Sequence, residues 1–238
     1  MFNKAIVLKS NVSEILSINS PFNHHNYSMK MEPFELFVED YDQWYEKNPS
    51  FFRSELKALG KVIPGGIGLE VGVGTGRFAK ELGVEFGVDP AINMLKLAKE
   101  RGIKVVAGVG EELPFVSEVF DYVINVITIC FVKDPGRVLE ESRRVLKHGG
   151  KLVIGFIDRN SFLGKIYEEK KKMGHKFYRY ANFFAPAGII DLMEEAGFSR
   201  FEIYQTIFSP ESQHRIEEPK EGFGEGAFVV ISGVKESF

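Results

Sequence analysis

The sequence predicts an α/β protein: a doubly wound sheet of seven strands, mostly parallel, with an antiparallel last strand and helices on both faces. Three observations carry this. From Ile67 onward, short apolar runs alternate with amphipathic stretches in units of roughly 25 residues, the rhythm of strands joined by crossover helices. The runs are apolar almost throughout, as strands covered on both faces require. The first run, Ile67–Val73, also leads into glycines at alternate positions, Gly72, Gly74 and Gly76, just ahead of a helical segment.

Residues 1–30 stand apart from that rhythm. Asn, Ser and His dominate Asn11–Ser28, and Asn19-Ser20-Pro21 marks a turn. The segment is either a genuine N-terminal arm or an extension ahead of a start near Met29 or Met31, which leaves 31–238 as the domain proper. Phe34, Phe37, Val38, Tyr41, Trp44 and Tyr45 then recur at helical spacings. Asn48-Pro49 breaks that helix, and a second runs from Pro49 to Leu59, so residues 33–60 form a helical cap ending at Pro64-Gly65-Gly66. The alternation proper follows: strand Ile67–Val73, helix Phe78–Leu82, strand Glu85–Val88, and helix Pro90–Arg101 with Ile92, Leu95 and Ala98 on one face. Next come strands Lys104–Val109 and Phe120–Thr128, a helix from Pro135 to Lys147 stopped by Gly149-Gly150, and strand Lys151–Ile157. Charged and aromatic residues between Ser161 and Tyr180 suit one or two helices over the sheet edge, a lid insertion spanning 158–184. Helix Ala185–Ala196 stops at Gly197, and strands Phe201–Ile207 and Ala227–Val234, with no helix between them, form an antiparallel pair.

Composition narrows the function. A net charge of −3 does not suit a polyanion binder, which uses Lys and Arg to displace phosphate counterions, so no nucleic-acid partner is expected. Cys130 is the single cysteine, which excludes an internal disulfide and a thiolate metal cage. No metal site is expected. The apolar stretch Tyr122–Val132 is too short for a membrane span, which needs about 20 residues, so the cytoplasm is the expected compartment.

The chemistry concentrates in Leu69-Glu70-Val71-Gly72-Val73-Gly74-Thr75-Gly76-Arg77. Bare backbone lets the chain turn sharply and lets a ligand approach without Cβ interference, while the following helix offers unpaired N–H groups. Asp89, ending the next strand, can accept the hydroxyls of a ribose. Together they point to a nucleoside-like ligand across the carboxyl edge of the sheet. A dinucleotide fingerprint, Gly-x-Gly-x-x-Gly/Ala with an acid about 20 residues on, fits only from Gly74 to Ala79, and Asp89 then stands too near. A nicotinamide-dependent oxidoreductase is therefore a minor alternative.

The run Glu70-x-Gly72-x-Gly74-x-Gly76 resembles the first motif of class I S-adenosylmethionine-dependent methyltransferases. The resemblance continues through Val88-Asp89-Pro90-Ala91-Ile92-Asn93-Met94-Leu95, Glu111-Glu112-Leu113-Pro114-Phe115, Phe120-Asp121-Tyr122-Val123 and Arg144-Val145-Leu146-Lys147-His148-Gly149-Gly150. It is similar to the small-molecule branch that includes the ubiquinone and menaquinone biosynthesis methyltransferases. Phe183-Phe184-Ala185-Pro186 and Glu194-Glu195-Ala196-Gly197-Phe198 extend the similarity over most of residues 33–235. The resemblance implies a Rossmann-like fold and S-adenosylmethionine as cofactor. It places Gly72, Gly74 and Gly76 under the methionine portion, with Glu70 organising the loop. Asp89 would hold the ribose hydroxyls, Pro90 and Met94 would pack on the adenine, and Gly110 and Glu111 would lie at the adenine edge. Asn125 and Val126 would face the cofactor's amino group and the reaction centre. Tyr41 and Trp44 would cover the sulfonium, whose charge suits an aromatic face.

This chain has Val109 where many relatives carry an acid toward the adenine amino group, and His148, read as a helix C-terminal cap, where many carry Pro. No catalytic residue is assigned. Tyr167, His175, Tyr178, Tyr180 and Asp158 are the candidate bases, each more simply a surface or packing residue, and a base is needed only if the acceptor is protonated. The segment after the fourth strand, Asn125-Val126-Ile127-Thr128, lacks the Pro-Pro run of nucleic-acid amino methyltransferases, which favours a small organic acceptor. A non-catalytic module that retains the cofactor site is the main alternative. The oligomeric state is open.

Overall fold

The computed structural model describes residues 28–236, so nearly all of the expected arm or extension over 1–30 lies outside the described residues. One mixed sheet organises the chain. Its strands are β1 (Gly68–Val71), β2 (Phe86–Asp89), β3 (Lys104–Ala107), β4 (Phe120–Val126), β5 (Leu146–Ile157), β6 (Phe198–Thr206), β7 (Lys220–Glu221) and β8 (Phe228–Lys235), in the order β3-β2-β1-β4-β5-β8-β6-β7. β1 to β5 pair in parallel, whereas β8 runs antiparallel to both β5 and β6. The sheet thus has one strand more than the sequence predicts. β7 is two exposed residues paired with β6 at Tyr204 and Gln205, too short to leave a hydrophobic period.

Helices α1 (Ser28–Leu36), α2 (Val38–Lys47) and α3 (Pro49–Leu59) lead into the sheet, and α4 (Arg77–Leu82), α5 (Ile92–Glu100), α6 (Pro135–Val145), α7 (Phe162–Lys172) and α8 (Pro186–Glu195) follow. Pro49 opens α3, where a missing N–H costs nothing, and Asn48 ends α2 as the sequence predicts. At the start of α6, Asp134 caps the helix by accepting the Arg137 N–H at 3.0 Å. Val138, Leu139, Ser142 and Val145 then form its buried stripe. Two apolar layers result. Leu69, Val71, Val123 and Ile154 pack with Val138, Leu139, Ile189 and Met193 under α6 and α8. On the opposite face, Ile124, Val153 and Val230 pack with Leu59, Phe78, Met94 and Ala98 from α3, α4 and α5. Each fully buried aliphatic or Phe side chain contributes about 1.5–3 kcal/mol.

One expectation needs correction. The helix predicted to run to Lys147 ends at Val145, and Leu146–Gly150 already belongs to β5. Leu146 is fully buried in extended backbone (φ −72°, ψ 138°), paired with Phe120, so burial pulls it out of the helix. The basic-then-glycine pattern marks an irregular strand start, where the register shifts between Phe120 and Tyr122. His148 is therefore a strand residue, not a helix cap, and its Nε2 lies 2.9 Å from Glu118 Oε1 at the surface.

Strand order reverses between β1 and β4, so the loops leaving their carboxyl ends diverge and open a crevice there. The cap α1–α2 and the lid α7, with a 3-10 turn at Tyr178–Tyr180, stand over that edge. Two exposed ion pairs join cap to lid, Lys176 with Asp40 and Arg179 with Glu32.

Candidate active site

The loop from β1 into α4 is tied down by backbone. Gly72 and Val73 N–H donate to the Val88 carbonyl at 2.8 and 3.0 Å, and Gly76 N–H to the Val73 carbonyl at 2.8 Å. Glycine is required at 72, where φ is +74° and a Cβ would sit 2.2 Å from Thr128 Cγ2. The Thr128 hydroxyl donates to the Gly72 carbonyl at 3.2 Å, which joins the loops after β1 and β4. At Gly74 (φ +51°) a Cβ would meet only Tyr41, at 3.7 Å, so the backbone there is open except for that ring.

Asp89 is buried at the end of β2. Its Oδ2 accepts the Gly74 N–H at 2.9 Å and its Oδ1 the Ala91 N–H at 2.8 Å. Burial pushes its carboxyl up to about 6 despite those two donors. Glu70 lies beneath the loop, also buried. Burial raises it well above the usual carboxylate range, only partly offset by the Ala79 N–H, and Oε2 has no partner. Asn125, at the end of β4, is 1% exposed and has no partner for either amide atom.

The remaining predicted positions divide. Trp44 and Tyr41 come together in the cap, Tyr41 hydrogen-bonded to Tyr45 at 2.9 Å. Pro90 is half-buried in the loop after Asp89, while Met94 and Val126 are core residues at 1% and 3% exposure. Gly110 is packed against Val71 and Val138, where a Cβ would stand 2.9 and 3.1 Å from their methyls. Glu111 accepts the Lys133 and Asp134 N–H groups at 2.9 and 3.3 Å and so fastens the loop before α6.

A cavity of about 360 Å³ lies between cap, lid and sheet edge. Phe34, Tyr41, Trp44 and Tyr45 wall it on one side, Tyr167, His175, Tyr178 and Phe183 on the other, with Ile127, Cys130 and Phe131 after β4. Gly72, Gly74, Gly76 and Asp89 do not line it; Tyr41 is the side chain that borders both the cavity and Gly74. Within the lid wall His175, Tyr178 and Tyr167 form a stack, with ring centroids 4.8 and 4.5 Å apart. Burial, then Lys170 and Lys176, lowers His175, so its imidazole is neutral. Burial pushes the Cys130 thiol up to about 12 and Tyr167 to about 12, so neither ionises near neutrality. Of the other candidate bases, Asp158 accepts the Asn160 N–H at 2.9 Å in a tight turn, and Tyr180 lies off the cavity.

Two groups escaped the sequence reading. Asp42 on α2 takes both Nε and Nη2 of Arg77, at 3.0 and 2.5 Å, and Nη2 of Arg101 at 2.7 Å. Arg101 also donates to the Thr75 carbonyl at 2.5 Å, so the cap is bolted to the glycine loop. Burial opposes ionisation of Asp42, but these guanidinium donors outweigh it and hold the carboxyl well below the usual range. The other is Glu55 on α3, 3% exposed and lining the cavity, with Oε2 unpartnered. Burial alone pushes it up to about 8. Its place on the apolar stripe Phe51, Glu55, Leu59 was a readable signal.

These residues fit the cofactor that the sequence resemblance implies. The orphaned atoms of Glu70 and Asn125, and the open backbone at Gly74, are polar groups and space that the protein itself leaves unsatisfied.

The profile of a methyltransferase domain family matches residues 69–154. An uncharacterized protein of Methanocaldococcus jannaschii is 47% identical over 205 residues, covering 86% of this chain and 100% of that one. A demethylmenaquinone methyltransferase of Thermotoga maritima is 32% identical over 157 residues, 55% of this chain and 69% of that protein. The crystal structure of an S-adenosylmethionine-dependent methyltransferase from Thermotoga maritima, a possible histamine N-methyltransferase, matches with a TM-score of 0.84 and 46% identity. The match covers 87% of this chain and 100% of that one.

Proposed function

This chain belongs to the class I S-adenosylmethionine-dependent methyltransferases, and from that membership we propose that it methylates a small molecule seated in the aromatic cavity. The observation that carries the reading is the position of Tyr41, which touches the glycine loop on one side and the cavity on the other. A cavity of about 360 Å³ lies at the lower end of the range for small-ligand pockets.

When bound, S-adenosylmethionine supplies an electrophilic methyl on a sulfonium. The chain's own residues do the rest. Gly72 and Gly74 would receive the methionine portion, Asp89 and the loop at Pro90 the nucleoside, and Asn125 a polar group at the end of β4. Tyr41 and Trp44 would present ring faces to positive charge. The cavity holds the acceptor in line and keeps water out, which is the main requirement once the methyl is activated. His175, neutral and in the cavity wall, is the residue best placed to accept a proton if the acceptor carries one. The reading takes the cytoplasm as the compartment, where a lone reduced thiol such as Cys130 persists.

Calorimetric titration with S-adenosylhomocysteine and with nicotinamide dinucleotides, followed by incubation of methyl-labelled cofactor with a metabolite extract, tests this. Binding of the adenosyl compound alone and label in a low-mass product are expected. Label found only in macromolecules, or transferred to nothing, would overturn the reading.

A further inference from the structure

We infer that Glu55 is the anchor for a cationic nitrogen, so that the molecule taken up by this cavity is an organic amine. The inference rests on the reading of the cavity as the acceptor site. Glu55 is the deeply buried acid of that cavity, and its Oε2 has no partner. A carboxylate oxygen withdrawn from water needs either a proton or a cation beside it. Here it lines the cavity together with Tyr41, Trp44 and Tyr45, whose rings attract cations.

Across the cavity the lid aromatics already attract cations of the chain's own. Lys170 Nζ stands 5.4 Å from the Tyr167 ring centroid and 6.0 Å from that of Tyr178. Lys176 lies 5.4 Å from the Phe177 ring and pairs with the exposed Asp40. The other titratable groups on charged or basic side chains facing the cavity, Asp40, Lys47, Lys170, Lys176 and the neutral His175, are half-buried or exposed. Glu55 is 3% exposed and sets the charge preference of the interior. A neutral guest without a donor would leave the Glu55 oxygen orphaned, and an anionic one would hold the carboxyl protonated and gain no charge pairing. An ammonium satisfies both carboxylate and rings. Burial keeps the empty site's carboxyl largely protonated at neutral pH, so docking an ammonium expels that proton.

The test titrates the full chain, saturated with S-adenosylhomocysteine, with three probes of one shape: 2-phenylethylamine, 2-phenylethanol and 3-phenylpropanoate. Runs at pH 7 in buffers of different ionisation enthalpy count the protons released. The amine should bind at least tenfold more tightly than the alcohol, the acid most weakly, and about one proton should leave per amine bound. Glu55→Gln should remove the amine's advantage and leave the alcohol's affinity in place. Equal affinity of amine and alcohol, or an amine preference retained in Glu55→Gln, would overturn the inference and leave the cavity as the acceptor site. If no probe binds the saturated protein, the acceptor-site reading falls and takes the inference with it. If Glu55→Gln does not fold, the ranking of the three probes on the wild type decides: an amine bound no more tightly than the alcohol overturns the inference.

Discussion

Replacing Glu55 with Gln should change the pH dependence of folding stability in a direction that can be worked out beforehand. The carboxyl titrates at about 8 in the folded chain against 4.5 unfolded. Because the folded value is the higher one, the stability tied to this proton is fully present below pH 4.5 and is lost as pH rises through 8. Linkage over the interval from pH 5 to pH 8 gives a loss of about 3 kcal/mol from this one group. Gln keeps the volume and the polar contacts but has nothing to titrate. Asp89, raised to about 6, adds a loss of the same sign in both proteins and cancels in the difference. Urea unfolding of both proteins at pH 5 and pH 8, followed by circular dichroism, measures it. The wild type should lose about 3 kcal/mol more than Glu55→Gln, roughly 6–12 °C in Tm for a chain of this size. Parallel stability curves would show that Glu55 is hydrated or paired in solution, and the account of its burial would fail.

Asp89→Ala removes the acceptor of two backbone N–H groups and the contact proposed for the ribose. Affinity for S-adenosylhomocysteine should fall by about 1.5–3 kcal/mol in calorimetry, and unchanged affinity in a folded variant would remove Asp89 from the site. Asp42→Asn leaves Arg77 and Arg101 without their shared carboxylate, partly buried at 14% side-chain exposure. The cap should loosen by about 1–3 kcal/mol, read as faster amide exchange over residues 38–47. Unaltered exchange there would show that other contacts hold the cap.

Much of this was readable from neighbouring residues. Alternating apolar runs and glycines are local signals, and they located β1 to β6, β8 and the loop at Gly72–Gly76 to within a few residues. The aromatic stripe that holds Tyr41 was readable as a helix face, whereas its role over the cofactor came from the family resemblance; the structure sets its ring beside Gly74. What escaped depends on distance along the chain. Nothing near Asp42 announces that Arg77 and Arg101 will converge on it, because their meeting is created by the packing of α2 on the loop. Leu146 looked helical until Phe120 paired with it, and β7 exists only as an edge to Tyr204 and Gln205. Glu55 was visible as an acid on an apolar stripe, but its meaning required the cavity, which forms only when residues near 41, 130, 167 and 178 assemble.

The cavity draws its walls chiefly from residues 34–55 and 156–184, on either side of the segment 69–154 that carries the family's signature. On the proposed reading, the parts that choose a guest lie mostly outside the segment by which the family is recognised. Kinship read from the central segment accordingly identifies the donor of the methyl group and carries little information about its recipient.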